Sequence, residues 1–417
     1  MNPESSPKPN TLVDKLKSLG IKVGQTGFKP AEQQQRVEFP IQSVVDGNFI
    51  NTRQGDVFVS EKTYPPEYRH GLTPLRPAAP LLTIGQWARD PRIADLPIES
   101  LAFLDTETSG LAGGTGTYAF LVGVGRFTGE TFQLAQFFMR DPAEEPALLE
   151  GLIDFLSPCR ALVTFNGKAF DAPLLVARYS LHSIPIPFKN YSHLDLLPLA
   201  RRLWRDRLSS RALKYLEENI LLAPRTIEEV PGYEIPYLYF DYLRTGDARP
   251  LKGVFYHNAM DIVALAALMN HMATVLHAPL SGKVEHGLDF IALAKLFEDL
   301  HRWEDASRLY ERGLEIGLSE MDFGSAVQRL STLQRRRGDL EAAVILWKKA
   351  AAGGHIYAHV ELAKYYEHHV RDFTEALKWT ARAKELVDIQ EMPAYEQRHW
   401  NEELEHRKKR LDEKASK

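Results

Sequence analysis

The chain has 417 residues, 44% hydrophobic and 25% charged, with a net charge of −4; that length predicts two or three domains. The composition excludes wholesale disorder, and the mild acidity excludes a uniformly basic nucleic-acid coat while leaving room for a local basic patch. A single cysteine, Cys159, excludes an intramolecular disulfide and any cysteine-rich zinc module; the polar start MNPESSPKPNTL and an apolar stretch no longer than Ile262 to Met269 point to a cytoplasmic chain without a membrane span.

Residues 1–95 read as an N-terminal extension with a small β element. Apolar and β-branched residues alternate around Asp46-Gly47 and Gly55, and a proline-rich linker follows through Pro80. The pattern changes near residue 96. LAFLD is a short apolar run of the kind that forms a buried strand, and YAFLVGVGRF and TFQLAQFFM, separated by Thr128-Gly129-Glu130, predict an antiparallel hairpin. A helix over Glu144 to Leu156, a buried strand ALVTF, a helix after Asp171 and a short strand ending near Asp195 come next. The rest, to about residue 275, is mostly helical. Three strands in meander followed by β/α alternation describe an α/β domain with a mixed sheet over 96–275. Cys159, after Pro158 at a helix-to-strand turn, reads as a packing residue.

Residues 285–417 read as all helix, with an internal repeat. RWEDASRLYERGLE, GDLEAAVILWKKAA and RDFTEALKWTARAK align on Ala306, Ala343 and Ala376, at offsets of 37 and 33 residues. That is close to the period of about 34 found in tetratricopeptide repeats, which these segments resemble; a plain bundle of helical hairpins is the alternative.

Three places in the middle domain carry acidic chemistry. Asp105 and Glu107 flank Thr106 at the end of the first strand, and side chains two apart on a strand share a face. Asp171, in TFNGKAFDAPLL, stands where a strand and an Asn166-Gly167 turn lead into a helix with Pro173 in its first turn. It can cap that helix or serve a site. In YHNAMDIVALAAL, His257 and Asp261 lie four apart on one helix face, as a surface pair or as part of a site. The Gly-rich SGLAGGTGTYAFLVGVG lacks the Gly-Lys-Ser/Thr ending of a P-loop and runs into a strand, so it reads as a loop beside the first strand's mouth. Arg201, Arg202, Arg205, Arg207, Arg211, Lys214 and Arg225 form a locally basic stretch that can track a phosphate backbone or simply face solvent.

An Asp-x-Glu on the first strand, an Asp at a strand-to-helix turn and a His-x-x-x-Asp on a later helix resemble, in that order, the DEDD (DnaQ-like) exonuclease superfamily, which has a ribonuclease H-like fold. DLLPLARRLW followed by SSRALKYLEENIL resembles the helical region those enzymes carry between their second and third motifs. FNGKAFD and HNAMD most resemble the bacterial YprB-like ribonuclease H-like proteins. The resemblance implies Asp105, Glu107, Asp171 and Asp261 as ligands of two Mg²⁺ or Mn²⁺ ions, with His257 as general base. The activity it implies is 3′→5′ hydrolysis of DNA or RNA, most readily from a single-stranded end. His257 stands at the spacing that the tyrosine branch of the superfamily uses, and Tyr256 at the histidine branch's spacing. The helix turns His257 toward Asp261, while an unwound turn would admit Tyr256. Thr106, Asn166, Gly167, Asn258, Arg211 and Lys214 are the candidates for substrate contact, and the helical repeats for a protein partner. A structure-selective endonuclease, or a catalytically silent nucleic-acid-binding or scaffold protein, are the rival expectations.

Overall fold

The computed structural model describes residues 39–110 and 116–416. Its centre is a seven-stranded mixed sheet. β5 (Leu101–Thr108), β6 (Ala119–Thr128) and β7 (Thr131–Phe138) form the expected meander, and β8 (Ala161–Thr164) and β9 (Ser192–Asp195) add in parallel on the far side of β5. The N-terminal β element does not stand apart from this sheet. β1 (Asn48–Thr52) and β2 (Gly55–Tyr64) turn at Arg53 and Gln54. β2 then pairs antiparallel with β7, from Phe58 opposite Phe138 to Tyr64 opposite Phe132, so the strand order is β1-β2-β7-β6-β5-β8-β9. The reason is non-local: β7 is apolar along most of its length and needs a neighbour on its second edge. A two-stranded ribbon, β3 (Arg69–His70) and β4 (Thr73–Pro74), leads to α1 (Leu82–Ala88).

Strand alternation splits the core in two. Leu101, Phe103, Val163 and Leu194 face one side, where the long helix α6 (Leu251–His277) packs. Ala102, Leu104 and Leu162 face the other, covered by α2 (Glu145–Leu156), α3 (Asp171–Leu181) and α5 (Ile235–Thr245). Cys159 is buried on that second side. α6 is apolar all round from Ile262 to Met269, the signature of a helix enclosed by protein. By length and composition it is long enough to cross a membrane, yet most of it is buried here. The sequence expectation of no such segment rested on an eight-residue window and missed the longer one.

Seven α-helices follow, with a π-helical turn (Tyr366–Val370) after the fifth: α7 (Gly287–Asp299), α8 (Trp303–Ile316), α9 (Glu320–Arg336), α10 (Leu340–Ala352), α11 (Ile356–Tyr365), α12 (Phe373–Ile389) and α13 (Ala394–Ala415). Ala306, Ala343 and Ala376 are each the fourth residue of α8, α10 and α12, and each is fully buried. Asp339 and Asp372 cap α10 and α12 through Ala342 and Glu375 N–H. This all-helical region is consistent with a helical repeat domain. Phe290, Leu293, Phe297, Leu309 and Leu330 join the same core as Phe103 and α6, so the array is continuous with the sheet domain.

Candidate active site

β5 outruns its parallel neighbour: β8 pairs only with Leu101 to Phe103. The carboxyl end of β5 therefore opens into a crevice, where open α/β sheets place their sites, and its register with β6 shifts between Glu107 and Thr108. Asp105 and Glu107 leave this segment on the Leu101/Phe103 face, toward α6. Thr106 leaves on the other and donates to Asp171 Oδ1 at 2.5 Å. Asp171 is the first residue of α3 and does not cap it; the preceding Phe170 makes no side-chain cap either. The pull of Thr106 explains why the capping alternative loses.

On α6, Asn258 is fully buried beneath Asp105. Its Nδ2 donates to Asp105 Oδ2 at 3.0 Å, and its Oδ1 accepts from Gln136 Nε2 at 2.9 Å, which also donates to Phe255 O at 2.8 Å. Room for that amide comes from Gly123 on β6, where a Cβ would lie 2.2 Å from Asn258 Oδ1. Asn258 thus holds a carboxylate, and Thr106 likewise. Neither is left with its polar group simply facing substrate.

His257 and Asp261 meet on α6 as the spacing requires, Nε2 to Oδ2 at 3.4 Å. The ring's other nitrogen, Nδ1, lies 3.0 Å from Glu229 Oε1 and 3.1 Å from Val230 O, acceptors that fix the proton on Nδ1 and leave Nε2 facing Asp261. Tyr256 lies within the continuous helix, and its hydroxyl accepts from Thr226 N–H at 3.0 Å, so the unwound-turn alternative does not hold. Arg225, read from sequence as part of a basic approach, is only 2% exposed. Its guanidinium bonds Asp261, Glu217 Oε2 at 2.7 Å and Glu229 Oε1 at 3.0 Å, and Glu217 in turn lies 2.6 Å from His70. Arg202 and Arg207 are also spent, on Asp299 and Asp289 of α7. Lys214 Nζ is 3.7 Å from Glu229 and so borders the site, whereas Arg211 donates to Leu208 O.

Asn166 takes a left-handed φ of 66°, and its N–H donates to Asp195 Oδ1 at 2.8 Å; Lys168 N–H donates to Oδ2 at 3.2 Å. A Cβ on Gly167 would lie 2.5 Å from Thr164 Cβ. Both residues therefore shape the turn that delivers Asp171. Asp195, which also caps α4 (Leu196–Trp204), and Glu229 are the residues that sequence spacing missed; each acts through chain segments distant in sequence. Of the Gly-rich loop, residues 111–115 lie outside the described residues.

Burial pushes Asp105 well above the usual carboxylate range, reinforced by the charges of Asp261, Asp171 and Glu107. Burial likewise pushes Glu107 up to about 8, and raises Asp171. For Asp261, burial works upward, but the His257 hydrogen bond and the Arg225 guanidinium outweigh it and hold the carboxyl down. His257 is pushed up to about 11: burial opposes its charge, and Asp261 and Glu229 overcome it. Crowded, desolvated carboxylates are stable as anions only beside cationic charge. Arg225 and His257 serve Asp261 and Glu229; among the described residues Asp105, Glu107 and Asp171 make no ion pair, and oxygen donors of this kind suit a hard divalent ion. Ligand atoms of Glu107, His257 and Asp261 lie within 4.8 Å of one another and could hold such an ion; of the four expected carboxylate ligands, Asp105 and Asp171 stand outside that group.

The family model of the RNase H superfamily matches residues 102–273. The uncharacterised protein YprB of Bacillus subtilis (strain 168) is 33% identical over 330 residues, covering 77% of this chain and 78% of that protein. Among solved structures, the family B DNA polymerase of the hyperthermophilic archaeon Pyrobaculum calidifontis matches with a TM-score of 0.33 at 15% identity. That match covers 48% of this chain and 29% of the polymerase chain.

Proposed function

The chain belongs to the YprB family and carries an RNase H superfamily domain, and from that premise we propose that it is a metal-dependent nuclease of the DEDD type, acting 3′→5′ on DNA or RNA. The observation that carries the reading is the meeting of Glu107 and Asp261 with His257, with Asp105 buried beside them and the charges of Asp171, Glu107 and Asp261 all acting on it. Four carboxylates in mutual repulsion are costly to the fold, and a pair of divalent ions removes that cost.

Asp105 and Glu107, anchored on β5, and Asp171 and Asp261, from α3 and α6, would hold two Mg²⁺ or Mn²⁺ ions. Such ions, when bound, supply a nucleophile at neutral pH and balance charge on the attacking and departing oxygens. Asn258 keeps Asp105 from rotating, and Thr106 does the same for Asp171. In the metal-free protein Asp261, Glu229 and Glu107 hold His257 protonated; divalent ions that took up the charge of Asp261 and Glu107 would free Nε2 to accept a proton from water, with the ring held at Nδ1 by Glu229 and Val230. Attack of water on the last phosphodiester of a single-stranded 3′ end would break its P–O3′ bond, releasing a nucleoside 5′-monophosphate and leaving a new 3′-hydroxyl on the shortened strand.

The test is hydrolysis of end-labelled single-stranded DNA and RNA with Mg²⁺ or Mn²⁺, comparing wild type with Asp105→Asn. Mononucleotides from the earliest times, and at least a hundredfold less product from the variant, are expected. Metal-independent cleavage, no cleavage, or equal cleavage by Asp105→Asn would overturn the proposal; internal fragments from the outset would replace the exonuclease with an endonuclease.

A further inference from the structure

α5 is unusual in keeping aromatic rings on both of its faces. Inward, Tyr239 stacks on Phe120 with ring centroids 3.9 Å apart and Tyr242 packs on Phe138, which fixes the helix to the sheet. Outward, Tyr237 and Phe240 are 69% and 46% exposed. Three apart, those two lie on one side of the helix; Tyr233, 64% exposed, stands in the turn two residues before it begins. Burial of the inner rings explains the helix's docking; it gives no reason for the outer ones, whose exposure is unfavourable unless something covers them.

The outer row starts at the candidate active site. A Cβ on Gly232, next to Tyr233, would be 3.9 Å from His257 Cε1, and Tyr118, beside the open end of β5, meets Tyr239 from the inner side. Five residues before His257 on α6, Lys252 is 64% exposed, its partner Glu228 at 3.3 Å being half exposed as well. Water weakens such a pair, and the ammonium stays available to a phosphate. Flat rings in file, beginning beside a proton acceptor and bordered by a cation, match the two halves of a nucleotide: bases stack on aromatic faces and phosphates meet charge.

We propose that Tyr233, Tyr237 and Phe240 form a stacking platform for the bases of a single strand leading to or from His257, with Lys252 against its backbone. This assignment of the strand's path rests on the nuclease reading. A rim of this kind takes DNA or RNA of any sequence, because every base has a ring face.

The test measures binding in EDTA, which holds cleavage off, of a fluorescein-labelled single-stranded DNA or RNA oligonucleotide and of an abasic strand of equal length. Wild type is expected to bind the base-bearing strand at least tenfold tighter than the abasic one. Tyr237→Ser/Phe240→Ser should lose that preference while keeping its Tm, and Tyr237→Trp should retain it. The platform is overturned if wild type shows no preference for bases, if the double variant keeps it, or if both strands weaken equally. A protein partner captured by the same face in place of the strand would give the second of these. The nuclease reading fails separately: a wild type that shows the base preference but cleaves nothing with Mg²⁺ or Mn²⁺ keeps the platform and loses the enzyme.

Discussion

Gly123→Ala offers the sharpest check on how the site is held. The new Cβ would meet Asn258 Oδ1 at 2.2 Å, Cγ at 2.9 Å and Nδ2 at 3.0 Å, so the amide must retreat by about 1 Å. Asn258 has no room to retreat into, being fully buried, and its bonds to Asp105 and Gln136 are lost together. Overpacking costs about 1–3 kcal/mol, and stranding two buried polar groups costs about 1–3 kcal/mol each, some of it shared. The expected loss is about 3–5 kcal/mol, read as a lower midpoint in urea with an unchanged slope. Asn258→Ala alone should cost about 2–3 kcal/mol, since it leaves Asp105 and Gln136 without their partner but makes no clash. The double variant, whose alanine methyl at 123 occupies space the amide vacated, should cost little more than Asn258→Ala. A double variant as unstable as the sum of the two singles would refute the reasoning, as would a Gly123→Ala protein of wild-type stability.

Two further outcomes follow from the electrostatics. Because Glu107 is pushed up to about 8 from an ordinary value near 4.5, the metal-free fold holds a proton that the unfolded chain releases. Its stability should therefore fall as pH rises from about 4.5 to about 8, by a few kcal/mol at most, and Glu107→Gln should flatten that fall. At pH 8, Mg²⁺ or Mn²⁺ at ten times its dissociation constant should return about 1.4 kcal/mol to wild type and much less to Glu107→Gln, read as Tm; equal gains would exclude Glu107 as a ligand. Glu367, whose carboxylate is buried under Arg407, Arg410 and Lys414 of α13, behaves oppositely. Burial raises it, but Arg410 and Lys414 prevail and hold it at about 2. Its contribution, about 1–3 kcal/mol after allowing for the exposed lysine and arginine, is present above about 4.5 and lost as pH falls toward 2. The stability gap between wild type and Glu367→Gln should accordingly shrink by half or more between pH 7 and pH 3, and a constant gap would show that the clamp carries no charge.

Much of the site was legible because it is local. The Asp105/Glu107 pair follows from strand period, the His257/Asp261 pair from helix period, and Ala306, Ala343 and Ala376 from a repeat that packing enforces. What escaped depends on chain distance. The pairing of β2 with β7 joins residues some 75 apart, so an alternating N-terminal segment looked like a separate element. Arg225 stood in a run of basic residues whose other members include exposed side chains; only its burial between Glu217 and Asp261 reveals a different task. Asp171 had the neighbours of a helix cap, and the hydroxyl that claims it comes from Thr106, 65 residues earlier.

The same distances set an order of assembly. A chain growing from its N-terminus makes the β1–β2 hairpin long before β7 exists to receive it, and Asp105 and Glu107 well before α6 carries Asn258, His257 and Asp261 into place. At 5–20 residues per second, the roughly 150 residues between Glu107 and Asp261 take about 8–30 s to synthesise. Through that interval the nascent chain has half a crevice, with its acidic residues still in water and the bracing amide of Asn258 yet to come. The proposed site is thus incomplete until α6 has been made.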